Sequence, residues 1–258
     1  VVAVFQRGMA SALRIREILD EPLERADTGD VNSPLSGSIT VDGLTFAYPD
    51  GEEVLHNVSF SVEPGQTLAV VGRTGSGKTS LLNVLTGAYD IPPGSIFYDG
   101  VDINNIPLGR LRASISLVPQ ESFLFSETVA ENISFGCEGA DRETIVNAAR
   151  HAAIDGEIES YPRQYDTMLG ERGLTVSGGQ RQRLTIARAL ISETPILFFD
   201  DCLSNVDTST EMEILRTLKT VTHSKTAVIV THRLGAVADA DTILYFRDGA
   251  VAESGTHD

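Results

Sequence analysis

The chain is poor in basic residues and nearly devoid of cysteine. Lys and Arg number 20 against 36 Asp and Glu, a formal net charge of −16 over 258 residues. A surface that neutralises nucleic-acid phosphates needs clustered Lys and Arg, so this balance argues against a nucleic-acid partner. It does not exclude a small anionic ligand, because a glycine-rich loop can hold phosphate with backbone N–H groups. The two cysteines, Cys137 and Cys202, lie far apart and lack metal-ligand spacing. They form no disulfide framework, and a reducing cytosol is the simple reading. The sequons at Asn57 and Asn132 therefore carry little weight. No apolar run approaches the roughly 20 residues of a membrane-spanning helix, and no signal peptide is visible. What remains, 41% hydrophobic and 22% charged residues, is ordinary for a soluble globular protein. The abrupt start and the final "GTHD" suggest a piece of something larger.

Residues 1–25 read as a helix ended by Pro22, with apolar positions at Met9, Leu13, Ile15, Ile18 and Leu19. The polar stretch "RADTGDVNSPLSGS" follows as a linker, and its hydroxyls at Thr28, Ser33, Ser36 and Ser38 read as solvated rather than as modification sites. From Ser38 the alternation in "ITVDGLTFAY" and "LHNVSFSV" predicts half-buried strands. The short continuous runs "TLAVVG", "ILFFD" and "TAVIVTH" fit a parallel sheet buried on both faces. Residues from about 123 to 175 read as helical, and "DTILYFRDGAVAESG" as a hairpin about Asp248-Gly249. The fold class is therefore α/β, with a mostly parallel buried sheet, an antiparallel β part and a helical part.

"GRTGSGKT" matches G-x-x-x-x-G-K-[ST] in full, after an apolar strand and before a helical segment. Its residues are Gly72, Arg73, Thr74, Gly75, Ser76, Gly77, Lys78 and Thr79, with Ser80 continuing the helix. Such a loop turns its N–H groups inward around a β-phosphate at a positive helix N-terminus. Lys78 reaches the β- and γ-phosphates and the Thr79 hydroxyl ligates Mg²⁺. Asp200, at the end of an apolar strand, is placed to accept hydrogen bonds from the ion's water shell. The reading is a nucleoside triphosphate site.

Further motifs stand in a fixed order after the loop: Gln120 in "LVPQ", "LTVSGGQRQRLTIARAL", "ILFFDD", "SNVD" and His232 in "VTH". In that order they resemble the ATP-binding-cassette (ABC) ATPases, over essentially the whole chain from Ser38 onward. "TMLGERG" and the opening "LRIREILDEP" resemble exporters of that superfamily. The resemblance implies a nucleotide-binding domain over residues 38–258, with a helical subdomain at about 123–190. Residues 1–37 would be the helix and linker from a membrane domain at the cytoplasmic face of the plasma (inner) membrane, while the isolated chain would be soluble. It implies ATP and Mg²⁺ as ligands, with Tyr48 stacking on adenine. Gln120 would sense the γ-phosphate and the metal, and His232 would contact the γ-phosphate. Ser177, Gly178, Gly179 and Gln180 would form a second anion site that closes on ATP held by a partner domain. The implied assembly is a head-to-tail dimer carried by its own and its partner's transmembrane domains.

Active members of the family carry Glu where this chain has Asp201. The shorter side chain withdraws the carboxylate by about 1.5 Å. Together with Asn205 beside Asp207, where the family more often has Ala, this resembles the slow half of an asymmetric exporter paired with a different subunit. An engineered Glu-to-Asp change is the alternative, as are a regulatory module without turnover and a fully active homodimer.

Overall fold

The continuous apolar runs form the middle of a six-stranded sheet. A computed structural model describes residues 2–20, 33–49, 51–170, 176–204, 206–221, 225–233 and 237–257. In chain order the strands are β1 (Ile39–Ala47), β2 (Glu53–Val62), β3 (Thr67–Gly72), β4 (Ile96–Tyr98), β5 (Val101–Asp102), β6 (Ile115–Val118), β7 (Ile196–Asp200), β8 (Thr226–Thr231), β9 (Thr242–Arg247) and β10 (Ala250–Gly255). The helices are α1 (Val2–Leu19), α2 (Lys78–Leu85), α3 (Leu108–Ala113), α4 (Val129–Ser134), α5 (Arg142–His151), α6 (Asp155–Glu159), α7 (Gly178–Leu190) and α8 (Thr208–Val221).

The large sheet runs β10-β9-β3-β8-β7-β6, and all its pairings are parallel except the β9–β10 hairpin. Every residue of β7 and β8 is buried, which is why neither strand alternates in sequence. Their side chains still alternate between the two faces. Ile196, Phe198, Val228 and Val230 join one core, while Leu197, Phe199 and Ile229 join the other. Burying each of the two phenylalanines contributes roughly 1.5–3 kcal/mol, and Phe198→Ala would cost about 3–5 kcal/mol.

The first core is closed by a four-stranded sheet, β2-β1-β4-β5, whose pairings are all antiparallel. The second is closed by helices α4 to α8. These helices carry legible starts: Thr128 and Glu131 form a reciprocal capping box on α4, and Asp141 caps α5. The isolated bridge Thr128–Met168 is the sole strand-like pairing described between 123 and 170. At the C-terminus Asp248 and Gly249 both take positive φ, 49° and 77°, as a tight two-residue hairpin turn requires.

Two expectations change in detail. The first helix ends at Leu19, and residues 21–32, with Pro22 and Thr28, lie outside the described residues. The stretch read as solvated linker is anchored at its far end. Leu35 is buried, and Asp99 accepts from the N–H and hydroxyl of Ser36 (both 2.6 Å) and from the N–H of Ser38 (2.9 Å). Among the described residues no helix is long and apolar enough to cross a membrane.

Candidate active site

β3 leads straight into the glycine-rich loop, which turns into α2 at Lys78. Gly77 stands at φ 97°, a left-handed conformation that an L side chain rarely adopts. At Gly72 a Cβ would collide with the carbonyl of Phe246 on the neighbouring strand and come within 2.8 Å of Ser76 Oγ. The loop is held from behind by the C-terminal hairpin: Gly249 N–H donates to the Ser76 carbonyl (3.1 Å), and the Gly249 carbonyl accepts from His56 N–H (2.9 Å). Lys78 Nζ lies over the loop, donating to the carbonyls of Gly72 (2.9 Å) and Arg73 (2.8 Å) and to Ser76 Oγ (3.4 Å). Burial lowers its pKa, and the carboxylates of Asp201 and Asp200 oppose that shift.

The carboxylates come from the next strands. β7 and β8 are in parallel register with Asp200 opposite Val230, so the residues just beyond, Asp201 and His232, emerge side by side. Asp200 is 6% exposed and accepts a hydrogen bond from Thr79 Oγ1 at 3.2 Å. Burial raises its pKa, and the Thr79 bond acts in the opposite direction. Asp201 takes φ 43°, a conformation that Asp tolerates better than most residues. Its N–H donates to the Val230 carbonyl (2.8 Å), and its Oδ1 lies 2.9 Å from His232 Nδ1.

A cavity of about 290 Å³ gathers Thr74, Gly75, Gly77, Lys78, Thr79, Ser80, Gln120, Asp200, Asp201 and His232, walled by Val54 and Val230. Gln120 arrives there from the end of β6, on the far side of β7. The site therefore sits at the carboxyl ends of parallel strands, where open α/β sheets bind ligands. Tyr48 stands behind it: its hydroxyl donates to Ser80 Oγ (2.9 Å), and its ring packs edge-on against Phe46 and Tyr89, both at 5.1 Å.

The four signature residues lie elsewhere. Ser177, Gly178 and Gly179 line a separate recess with Arg181, Arg183, Val206 and Asp207, and no residue is shared with the first cavity. Ser177 caps α7, its Oγ accepting from Gln180 N–H (3.2 Å), while Gln180 Oε1 accepts from Ser177 N–H (2.8 Å). The other end of the Gln180 amide donates to Glu157 Oε2 (2.6 Å). Both ends of that side chain are thus engaged within the chain, shaping the helix start. Glu157 also accepts from Arg183 Nη2 (2.5 Å), whose Nη1 donates to the Ala153 carbonyl (2.7 Å). Asp207 caps α8, accepting from Ser209 Oγ (2.5 Å) and Thr210 N–H (3.1 Å), and these bonds hold its carboxyl well below the usual range. Asn205 and residues 171–173 fall outside the described residues. Glu157, Arg183, Gln182, Glu211 and Arg233 support the site, although the sequence does not single them out. Gln182 and Arg183 belong to the signature segment, whereas Glu211 gives no sequence signal.

A glycine-rich loop between a parallel strand and a helix, facing a carboxylate at the end of β7, one strand beyond the neighbouring β8, defines a phosphate-loop nucleotide-binding domain. The chain belongs to the ABC transporter family, whose model matches residues 55–204. It is 43% identical over 255 residues to an ATP-dependent lipid A-core flippase of Idiomarina loihiensis, covering 98% of this chain and 44% of that protein. An ATM1-type heavy metal exporter of Novosphingobium aromaticivorans is 40% identical over 262 residues, covering 100% of this chain and 43% of that protein. A solved structure of a bacterial Atm1-family ABC exporter with ATP bound superposes with a TM-score of 0.90 at 40% identity, covering 98% of this chain and 45% of that one. The chain thus spans less than half the length of these relatives.

Proposed function

We propose that this chain is the ATP-binding and ATP-hydrolysing motor domain of an ABC exporter, acting in a head-to-tail dimer. The observation that carries the reading is a pair of separate recesses on one chain, each lined by groups that suit an anion. One has Lys78 and the loop amides, the other has Ser177, Gly178 and Gly179 at the start of α7. Neither encloses a triphosphate alone, and two chains placed head to tail would complete both. The geometry is the same whether the second domain is a copy of this chain or a different subunit.

The loop amides and Lys78 would neutralise the β- and γ-phosphates, and Tyr48 would stack on adenine from its place beside Ser80. Thr79 and Asp200 bring oxygens to the cavity and Gln120 lines it with an amide that can supply another, a set that suits a hard cation retaining water and phosphate ligands. Mg²⁺ bound there would supply charge neutralisation across the transferred phosphoryl group. Water would attack the γ-phosphorus, forming one P–O bond as the bond to the β–γ bridging oxygen breaks; ADP leaves, the water proton departs with the released phosphate, and Asp201 and His232, paired at 2.9 Å in the cavity, would flank the approach. Asp201 accepts from His232 but reaches less far than Glu would, so the chain's own site turns over slowly.

Exposed apolar groups fit contacts with a membrane domain. α1 presents Ile18 and Leu19, and Phe135, 66% exposed, projects beside Phe125 under the Arg188 guanidinium. Residues 1–37 would then lead from that domain and residues 38–258 form the motor, at the cytoplasmic face of the membrane. Turnover of the purified chain over a protein-concentration series tests the proposal. A rate that rises with the square of chain concentration supports a dimeric motor. A rate per chain that is independent of concentration overturns it, and ATP binding with no turnover, alone or with any partner domain, leaves a regulatory module.

A further inference from the structure

His232 and Arg233 are neighbours in sequence, but they hold opposite ends of one loop. His232 meets Asp201, the first residue beyond β7, at 2.9 Å within the nucleotide cavity. Arg233 grips the far end: Nη2 donates to the Ser204 carbonyl (2.9 Å) and Nη1 to the Val206 carbonyl (3.3 Å). The same guanidinium pairs with Glu211 of α8, which is 5% exposed, and the Arg233 N–H donates to Thr231 Oγ1 (3.1 Å). The Ser204 hydroxyl in turn accepts from Nε2 of Gln182 (3.3 Å), a residue of α7 that is 1% exposed. α7 is the helix whose first turn forms the second anion surface, and Val206 and Asp207 line that same recess.

A continuous hydrogen-bonded path therefore runs from the nucleotide cavity through Arg233 and Ser204 to the opposite anion surface. Its middle is a half-buried guanidinium fork on two carbonyls and a buried carboxylate. Bonds of this kind are charge-assisted and directional, and Lys cannot reproduce the fork. If the loop from 201 to 207 shifts as His232 responds to a γ-phosphate, Arg233 carries the shift into Asp207 and the start of α7.

We propose that Arg233, acting through Ser204 and Gln182, is a positioning residue that couples occupancy of the chain's own nucleotide cavity to the geometry of its signature surface. This inference rests on the dimer reading above. It assigns Arg233 no contact with ATP, so its loss leaves nucleotide affinity intact and weakens ATP-driven association of two domains. Coupling free energies between sites are commonly worth 5–150-fold, and a change on the order of tenfold is expected here.

The test compares the 258-residue chain with its Arg233→Lys and Ser204→Ala variants. Three quantities are read: thermal midpoint, ATP affinity at dilute chain, and the ATP-dependent dimerisation constant from sedimentation velocity. The expected result is an ATP affinity within about twofold of the native chain and dimerisation weakened roughly tenfold in both variants. A purely structural role would lower the midpoint and the ATP affinity together. Native dimerisation in Arg233→Lys overturns the coupling. Should that variant fail to fold or to bind ATP, Ser204→Ala decides: weakened dimerisation with native ATP affinity supports the path, and native dimerisation refutes it. If the native chain binds ATP but associates neither with itself nor with a partner nucleotide-binding domain, even as Asp201→Glu, the dimer reading itself fails, which is a distinct outcome.

Discussion

On the proposed function, lengthening one carboxylate should speed ATP turnover. Asp201 is 17% exposed, carries φ 43° and already spends Oδ1 on His232 Nδ1 at 2.9 Å. Asp201→Glu advances the carboxylate into the cavity by about 1.5 Å, one carbon–carbon bond. A misplacement of around 1 Å at a reacting centre costs on the order of 100-fold in rate, which is about 2.7 kcal/mol of barrier. The variant is therefore expected to release phosphate roughly 100-fold faster at saturating Mg²⁺ and ATP, with an ATP affinity changed only a few-fold. The backbone works in the opposite direction. A left-handed φ suits Asp better than Glu, so the variant should lose up to about 1 kcal/mol of stability, roughly 2–4 °C in thermal midpoint for a chain of this size. Steady-state phosphate release, equilibrium ATP binding and a melting curve on the same preparations read all three quantities. Unchanged or slower turnover, with binding and fold intact, would refute the claim that reach limits the native site.

Asp200→Asn is expected to separate stability from function. Because burial raises the Asp200 pKa, the folded chain holds that proton more tightly than the unfolded chain. The ionised carboxylate thus costs stability at neutral pH, and the cost fades as pH falls through the raised value. The Asn variant should melt a few degrees higher while losing Mg²⁺-dependent turnover, a trade common at functional sites; scanning calorimetry and phosphate release check it. Asp141→Ala should behave oppositely with pH. The Thr144 N–H holds the Asp141 carboxyl below its usual range, so its stabilising effect is present above the ordinary carboxylate range and vanishes as pH falls through the lowered value. The midpoint gap between variant and native chain should therefore close on acidification. Tyr98→Phe removes a buried hydroxyl that donates to the Leu85 carbonyl at 2.6 Å, and urea unfolding should show a loss of about 1 kcal/mol.

Features carried by consecutive residues are legible in the sequence itself. The phosphate loop, the apolar strands β7 and β8 and the turn at Asp248-Gly249 each hold their physical signal within a few positions. β4, β5 and β6 escape because runs of three, two and four residues are too short to show a period. Gln180 shows the limit for the site. Its motif suggests a ligand of nucleotide, yet the partner that engages its amide nitrogen, Glu157, lies 23 positions away and has no motif of its own. The Arg233 contacts span 22 to 29 positions and depend on the β7–β8 register, which no local pattern encodes.

The order in which the sheet is assembled has a consequence for synthesis. β3, which delivers the phosphate loop, lies between β8 and β9, and the turn that braces the loop from behind is at Gly249. On the ribosome, the segment that grips the nucleotide emerges before both its flanking strands and its brace. A nascent chain therefore carries the loop's sequence long before it can carry the loop's shape. ATP cannot serve as a template for the early folding steps, and a chain cut short before β9 would lose nucleotide binding despite retaining the entire glycine-rich motif.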